Sequence, residues 1–162
     1  MDTKDISSSL TRLFSELVDG AQASFNYILN RGDAGLLGSL DRLSATDASR
    51  SSEGGATIAG HVEHLRYGLS LMNRWASGEA DPWSGADWRA AWQTTSVTDE
   101  QWQSLRGSLA AECHEWLGAL GRPREVSKPE LRGVIGSIVH LAYHLGAIRQ
   151  IDRAARGPGA ND

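Results

Sequence analysis

This sequence has few of the features that would point to a secreted, membrane-bound or nucleic-acid-binding protein. Its 162 residues include one cysteine, Cys113, which has no partner for a disulfide within the chain and suggests a reducing compartment. The polar start, residues 1–5, lacks the apolar core of a signal peptide, and no unbroken run approaches the roughly 18 apolar residues of a transmembrane helix. A net charge of -4 offers no basic surface to nucleic acid. We therefore expect one cytoplasmic domain, residues 1–162, with neither a membrane nor a nucleic acid as its partner.

The alternation typical of strands is also lacking, whereas helical periodicity runs through most of the chain. Apolar residues recur every three or four positions in four long stretches, residues 6–29, 58–77, 98–120 and 129–156. Thr57 is suited to cap the second stretch, and Pro129 is suited to the first turn of the fourth, where its missing N–H costs nothing. A short additional helix is expected over residues 36–40. Four long helices predict an all-α fold, a four-helix bundle.

The sequence also predicts whether several individual residues are buried or lie at the surface. Gly20 is expected in the middle of the first helix, at a cost of about 1 kcal/mol relative to alanine, and Glu16 and Asp19 are expected at the surface. Cys113 belongs to the apolar series of the third helix, so we expect a buried and unreactive thiol. His114 lies off that series and is expected to be a surface residue.

The connection between the second and third helices, residues 78–97, is long and rich in tryptophan. Twenty residues can span more than the length of a 20-residue helix, about 30 Å, so the third helix can start beside the start of the second. This connection predicts an up-down-down-up bundle. Trp83, Trp88 and Trp92 are expected to fix the crossover by burying apolar area; in the alternative, one or two of them line the mouth of a pocket.

Four of the five histidines lie at helical spacing on two predicted helices. His140 and His144 are one turn apart on the fourth helix, and His61 and His64 are one turn apart on the second. Because bundles build metal sites from side chains on facing helices, the first pair and one histidine of the second helix could share an ion. His140 and His144 lie at an edge of their apolar stripe, which favours His64 over His61 and leaves His61 open.

Three neutral imidazoles suit Zn²⁺, Ni²⁺ or Fe²⁺. Three protein ligands leave one coordination position for water or substrate, which is typical of catalytic sites. A bound cation lowers the pKa of such a water toward about 7 and deprotonates a thiol. The same spacing also suits a structural metal site, or hydrogen-bonded histidines in a core that binds no metal.

Three motifs follow one another along the chain: Gly60-His61-Val62-Glu63-His64-Leu65, the Gly-Glu-x-Asp-Pro-Trp segment at 78–83, and His140-Leu-Ala-Tyr-His144-Leu-Gly-Ala-Ile-Arg149. Their order and spacing resemble the DinB-like (YfiT-type) superfamily of metal-dependent enzymes over nearly the whole chain. The closing pattern of that family is HxxxH followed by L/R-G-Q-I. Ala147 stands here in place of the glutamine, which removes one polar contact from the expected pocket but none of the metal ligands.

The resemblance implies an up-down-down-up bundle, a homodimer and a divalent ion held by His64, His140 and His144. Relatives include thiol-dependent transferases and isomerases that use mycothiol, bacillithiol or glutathione. It therefore implies an enzyme for a small-molecule substrate, in which a metal-bound low-molecular-weight thiol (transferase) or water (hydrolase) is the reactive group. The alternatives are a non-catalytic metal-binding or stress-related bundle, and a helical interaction module without metal.

Overall fold

A computed structural model of the chain describes residues 2–21, 24–51 and 53–159, and this part is built from helices. Its α-helices are α1 (Thr3–Asp19), α2 (Gly35–Leu40), α3 (Ala45–Ala48), α4 (Ile58–Ala76), α5 (Asp99–Leu120) and α6 (Lys128–Ile151). Short 3₁₀ turns cover Ala90–Trp92 and Arg153–Ala155. An isolated bridge joins Ser51 and Thr57, and the described ranges contain no strand.

The four long helices pack as the predicted up-down-down-up bundle. The start of α1 meets the end of α5, where the Ser7 hydroxyl donates to the Leu120 carbonyl, so these helices are antiparallel. Helices α4 and α5 are parallel, since Asn73 near the end of α4 donates to the Glu112 carbonyl in the second half of α5 at 3.0 Å. Helix α6 runs back along α4 and carries His140 to the first turns of α4. The fold class predicted from the sequence is confirmed.

The crossover between α4 and α5 returns along α4, which allows the two helices to run in parallel. The Thr57 hydroxyl, at the start of α4, donates to the Thr94 carbonyl at 3.3 Å. A Cβ on Gly60 would lie 3.2 Å from that same carbonyl oxygen, so glycine lets the crossover approach α4 closely. Thr57 also caps α4 by accepting the Gly60 N–H, as the sequence predicts.

The first predicted helix, residues 6–29, is wrong at its C-terminal end. Helix α1 ends at Asp19 because Gly20 adopts φ 94°, a conformation that strongly favours glycine. A side chain on Gly20 would also collide with the backbone of Asp33 and Ala34. The chain then leaves the helix, and Phe25 is 67% exposed instead of packing in the core. Residues 22 and 23 of the predicted helix lie outside the described residues.

Glu16 is the residue that holds the segment after α1 in place. The prediction put it at the surface, but it is completely buried. Its carboxylate accepts the backbone N–H groups of Tyr27 at 2.9 Å, Ile28 at 2.6 Å and Leu29 at 2.7 Å. Burial alone would raise the pKa of Glu16, but these donors and Arg12 outweigh it and lower the pKa, so the group is ionised at neutral pH.

We expect Glu16→Ala to lower the free energy of unfolding by roughly 2–4 kcal/mol, because three N–H donors lose a charged acceptor. Urea denaturation should show a lower midpoint with an unchanged slope. Glu115→Ala, at an exposed position of α5, is the matched control and should leave the midpoint in place. Equal midpoints for both variants would contradict the anchoring role of Glu16.

Helix α6 also differs from its prediction, since it ends at Ile151 rather than near residue 156. It is the one helix of the described chain that is long and apolar enough to cross a membrane by length and composition alone, with a window of mean hydropathy 1.3. Core helices of water-soluble proteins meet the same criteria, and α6 packs against α1 and α4. We interpret it as a bundle helix.

Candidate metal centre

The antiparallel pair α4 and α6 brings three histidines to one point. His64 lies in the second turn of α4, and His140 and His144 lie one turn apart in the second half of α6. The Nε2 atom of His140 is 3.1 Å from Nε2 of His64 and 2.9 Å from Nε2 of His144. All three ligand atoms of the group lie within 4.8 Å of one another. The fold therefore brings together His64, His140 and His144, the three residues that the sequence predicts as metal ligands.

The spacing of these nitrogens suits a metal ion. Three ligands at Zn–N distances of about 2.0–2.1 Å in tetrahedral geometry would be separated from one another by about 3.4 Å, close to the distances found here. Nitrogens that face each other this closely need a proton or a cation between their lone pairs. The group could thus hold a divalent ion, and within the described residues it has no fourth member.

His61 lies behind the group rather than in it. Its Nδ1 is 2.7 Å from Nδ1 of His144, on the side of that ring opposite Nε2. When Nε2 of a neutral histidine binds a metal, Nδ1 carries the proton and becomes a donor. His61 is therefore placed to accept that proton in a hydrogen bond and to fix the orientation of the His144 ring. His61 and His64, the two alternatives that the sequence left open, thus occupy different positions relative to the group.

Burial keeps these imidazoles neutral. Burial, reinforced by the neighbouring histidines, lowers the pKa of His64 to about 4 and that of His144 to about 3. Burial also lowers the pKa values of His61 and His140. At neutral pH all four rings are uncharged, so their ring-nitrogen lone pairs are available without the loss of a proton to solvent.

The tryptophan-rich crossover covers one side of the group. The Trp92 ring stacks on His64, with centroids 4.3 Å apart and planes at 23°, and it also contacts His61 and His144. Trp88 contacts His64 with centroids 5.7 Å apart. Nδ1 of His64 is buried and has no hydrogen-bond partner in the described part of the chain. Stacking on Trp92 therefore takes the orienting role that a hydrogen bond plays for His144.

An apolar cavity of about 180 Å³ opens next to His140. Its wall comes from α4, α6 and the crossover, and consists of Leu65, Gly68, Leu69, Met72, Trp83, Trp88, Gly133, Gly136, Ser137 and His140. Three of these are glycines, and a Cβ on Gly133 or Gly136 would meet no other atom within 4 Å. The absence of side chains at these positions leaves the space open. Trp83 and Trp88 line the cavity. This matches the second of the two roles that the sequence suggests for them, lining the mouth of a pocket.

Two further candidates have no part in this site. Cys113 is fully buried, and burial, more than the nearby acidic groups, raises the pKa of its thiol far above the ordinary value. An un-ionised buried thiol is a poor nucleophile, as the sequence predicts. His114 lies at the surface, where its Nε2 is 3.1 Å from the Asp19 carboxylate.

An ion pair that was not predicted from the sequence supports the C-terminal end of α6. Arg149 forms two hydrogen bonds to the Asp33 carboxylate, at 2.6 and 2.9 Å, and a third to the Ser39 hydroxyl. This bidentate pair ties α6, five residues beyond His144, to the segment before α2. The charge of Arg149 within an apolar helix was the one available signal, but its partner lies 116 residues away.

No protein-family model, curated protein or solved structure matches this chain. The geometry of the histidine group and the three sequence motifs are therefore the features of this chain that bear on its function.

Proposed function

We propose that this protein is a metal-dependent enzyme of the DinB-like type, in which His64, His140 and His144 hold a divalent ion. The observation that carries the proposal is the convergence of three buried or partly buried imidazole nitrogens beside an apolar cavity. A donor set of three neutral imidazoles suits Zn²⁺, Ni²⁺ or Fe²⁺. A structural site would be closed by a fourth protein ligand, and the described residues offer none.

His140 and Trp92 have different roles in this proposed site. His140 is the least buried of the three and forms part of the cavity wall, so a substrate in the cavity would reach the centre from its side. Trp92 covers the His64 side of the group by stacking on that ring, which shields it from water. A bound divalent ion would supply acidity, lowering the pKa of a water or thiol that it holds.

The reaction we favour is transfer of a low-molecular-weight thiol to an apolar electrophile. The apolar wall of the cavity suits a hydrocarbon or aromatic substrate, and the family resemblance favours thiol transfer over hydrolysis. In such a reaction the thiol releases its proton to solvent and its sulfur forms a bond to an electrophilic carbon of the substrate. The bond from that carbon to its leaving group, a halide in an aryl halide, breaks, and the halide departs with the bonding electrons. Hydrolysis by an activated water is the second reaction that the same geometry supports. A small-molecule substrate, a homodimer and a cytoplasmic location stay predictions from the sequence.

The test is an activity comparison between reloaded wild type and a variant with a filled cavity. Protein loaded with Zn²⁺, Ni²⁺ or Fe²⁺ is assayed with glutathione and an aryl halide, and separately with an aryl ester and no thiol. We expect Gly136→Leu to lower kcat/KM on the order of 10–100-fold, because the added side chain occupies substrate space, with the metal content unchanged. Leucine is a better helix former than glycine, so folding should be preserved.

Gly118→Leu is the matched control, since Gly118 is an exposed position of α5 with open space around it. It should keep the activity of wild type. Stoichiometric metal without any metal-dependent turnover in either assay would favour the non-catalytic alternative. Equal activity of the Gly136→Leu and Gly118→Leu variants would show that the substrate does not bind in this cavity.

A further inference from the structure

A second and larger cavity lies at the other end of the bundle from the histidines. It has a volume of about 330 Å³, is open to solvent on one side, and is lined by the start of α1, the ends of α4 and α5, the loop 121–127 and the start of α6. Its apolar wall includes Leu10, Trp75, Trp116, Leu120, Leu131 and Val134. Neither the three histidines of the metal group nor His61 contributes to it, so any ligand bound there would be separate from the proposed metal chemistry.

The two tryptophans make the inner surface of this cavity apolar. Their ring centroids are 6.3 Å apart, and the polar N–H of Trp116 is already used, since it donates to the Ser137 hydroxyl at 3.0 Å. Ring faces and aliphatic side chains gain little from water. Apolar cavities of this kind take up apolar molecules, and one of about 150 Å³ holds benzene. A cavity of about 330 Å³ therefore has room for roughly two such groups, or an organic body of about ten carbons.

The rim of the cavity carries two arginines. The Arg124 guanidinium carbon lies 4.2 Å from the centroid of the Trp75 ring, which holds the charge at the edge of the apolar wall. Arg122 lines the same cavity, and Glu125 is the one acidic residue of its lining. In the described part of the chain neither arginine forms an ion pair. Glu130, which is in electrostatic range of Arg124, caps α6 by accepting the Ser127 N–H at 2.6 Å.

We infer that this cavity is a binding site for a small organic carboxylate with an apolar body of about ten carbons. The body would lie in the cavity against Trp75 and Trp116, and the carboxylate would accept hydrogen bonds from Arg122 and Arg124 at the rim. Guanidinium groups match carboxylates in geometry as well as in charge. Such a ligand needs an apolar interior beside positive charges that are not already paired. Arg122 and Arg124 form no ion pair in the described chain, although the net charge of the chain is -4.

The experiment titrates three probes into the full chain by calorimetry: decanoate, decylammonium and acetate. Decanoate should bind in a saturable manner with one molecule per chain, decylammonium at least about tenfold more weakly, and acetate not measurably. The combined Arg122→Gln and Arg124→Gln substitutions should weaken decanoate binding by about tenfold or more, the scale of a charge-assisted hydrogen bond. Arg132→Gln, at an exposed position of α6 outside the cavity lining, is the control and should not change it.

Nuclear magnetic resonance of the indole N–H groups locates the ligand. Decanoate should shift the signals of Trp75 and Trp116 and leave those of Trp88 and Trp92 in place. Movement of the second pair alone would show that the carboxylate binds beside the histidines and would overturn the inference. Equal binding of decanoate and decylammonium, or no saturable binding of decanoate, would overturn it as well.

Discussion

Replacing His140 with alanine is expected to abolish stoichiometric binding of a divalent ion. His140 is central to the group, since its Nε2 is within 3.1 Å of Nε2 of both His64 and His144. Without it the two remaining ligands lie on different helices and the third coordination position is lost. The fall in affinity should exceed the roughly 10–100-fold loss that follows removal of a group that only orients a ligand.

The measurement is equilibrium dialysis of tag-free protein against a buffered metal solution, followed by elemental analysis. The matched control is His114→Ala, which removes a surface histidine that pairs with Asp19 and should keep about one ion per chain. Circular dichroism should show the same helix content in both variants. Equal metal contents in the two variants would refute the three-histidine site and, with it, the proposed enzyme.

Replacing His61 with leucine should weaken metal binding by about 10–100-fold without abolishing it. The reason is the 2.7 Å contact between Nδ1 of His61 and Nδ1 of His144. Leucine cannot accept the Nδ1 proton of a metal-bound His144, so that buried donor is left without a partner and the ring loses its fixed orientation. Competition with a chelator of known affinity measures the change.

A glutamine at position 61 separates orientation from packing. Its amide oxygen can accept the same hydrogen bond, so His61→Gln should recover much of the affinity that His61→Leu loses. An affinity equal to wild type in the leucine variant would show that the contact has no role in metal binding. A loss as complete as that of His140→Ala would instead make His61 a ligand.

The helices of this bundle were predictable because their signals are local. The 3.6-residue period, the capping threonine Thr57 and the acidic start of α5 give α4 and α5 within a residue or so of their observed bounds. The first helix was too long because its apolar period continues past Gly20, while the positive φ that ends α1 depends on contacts with residues 33–34. The burial of Glu16 was equally unpredictable, since its three N–H donors belong to a loop.

The candidate site was predictable as a set of residues but not as an arrangement. Spacing on two helices singled out His61, His64, His140 and His144, and the fold places α6 against α4. Which ring nitrogens meet depends on side-chain rotation and on shifts of about an ångström, which periodicity does not contain. The role of Trp92 was hidden for the same reason, because the crossover has no regular period that would fix where its tryptophans point.

The stacking of Trp92 on His64 gives the protein a built-in optical signal. Indole is the main source of a protein's ultraviolet emission, and this one lies in van der Waals range of a ring that would carry the ion. An ion with unpaired electrons, such as Cu²⁺ or Ni²⁺, would dim that emission at this distance, whereas Zn²⁺ has a filled d shell and would not. The intrinsic tryptophan fluorescence of the unlabelled chain could therefore distinguish an ion with unpaired electrons from Zn²⁺.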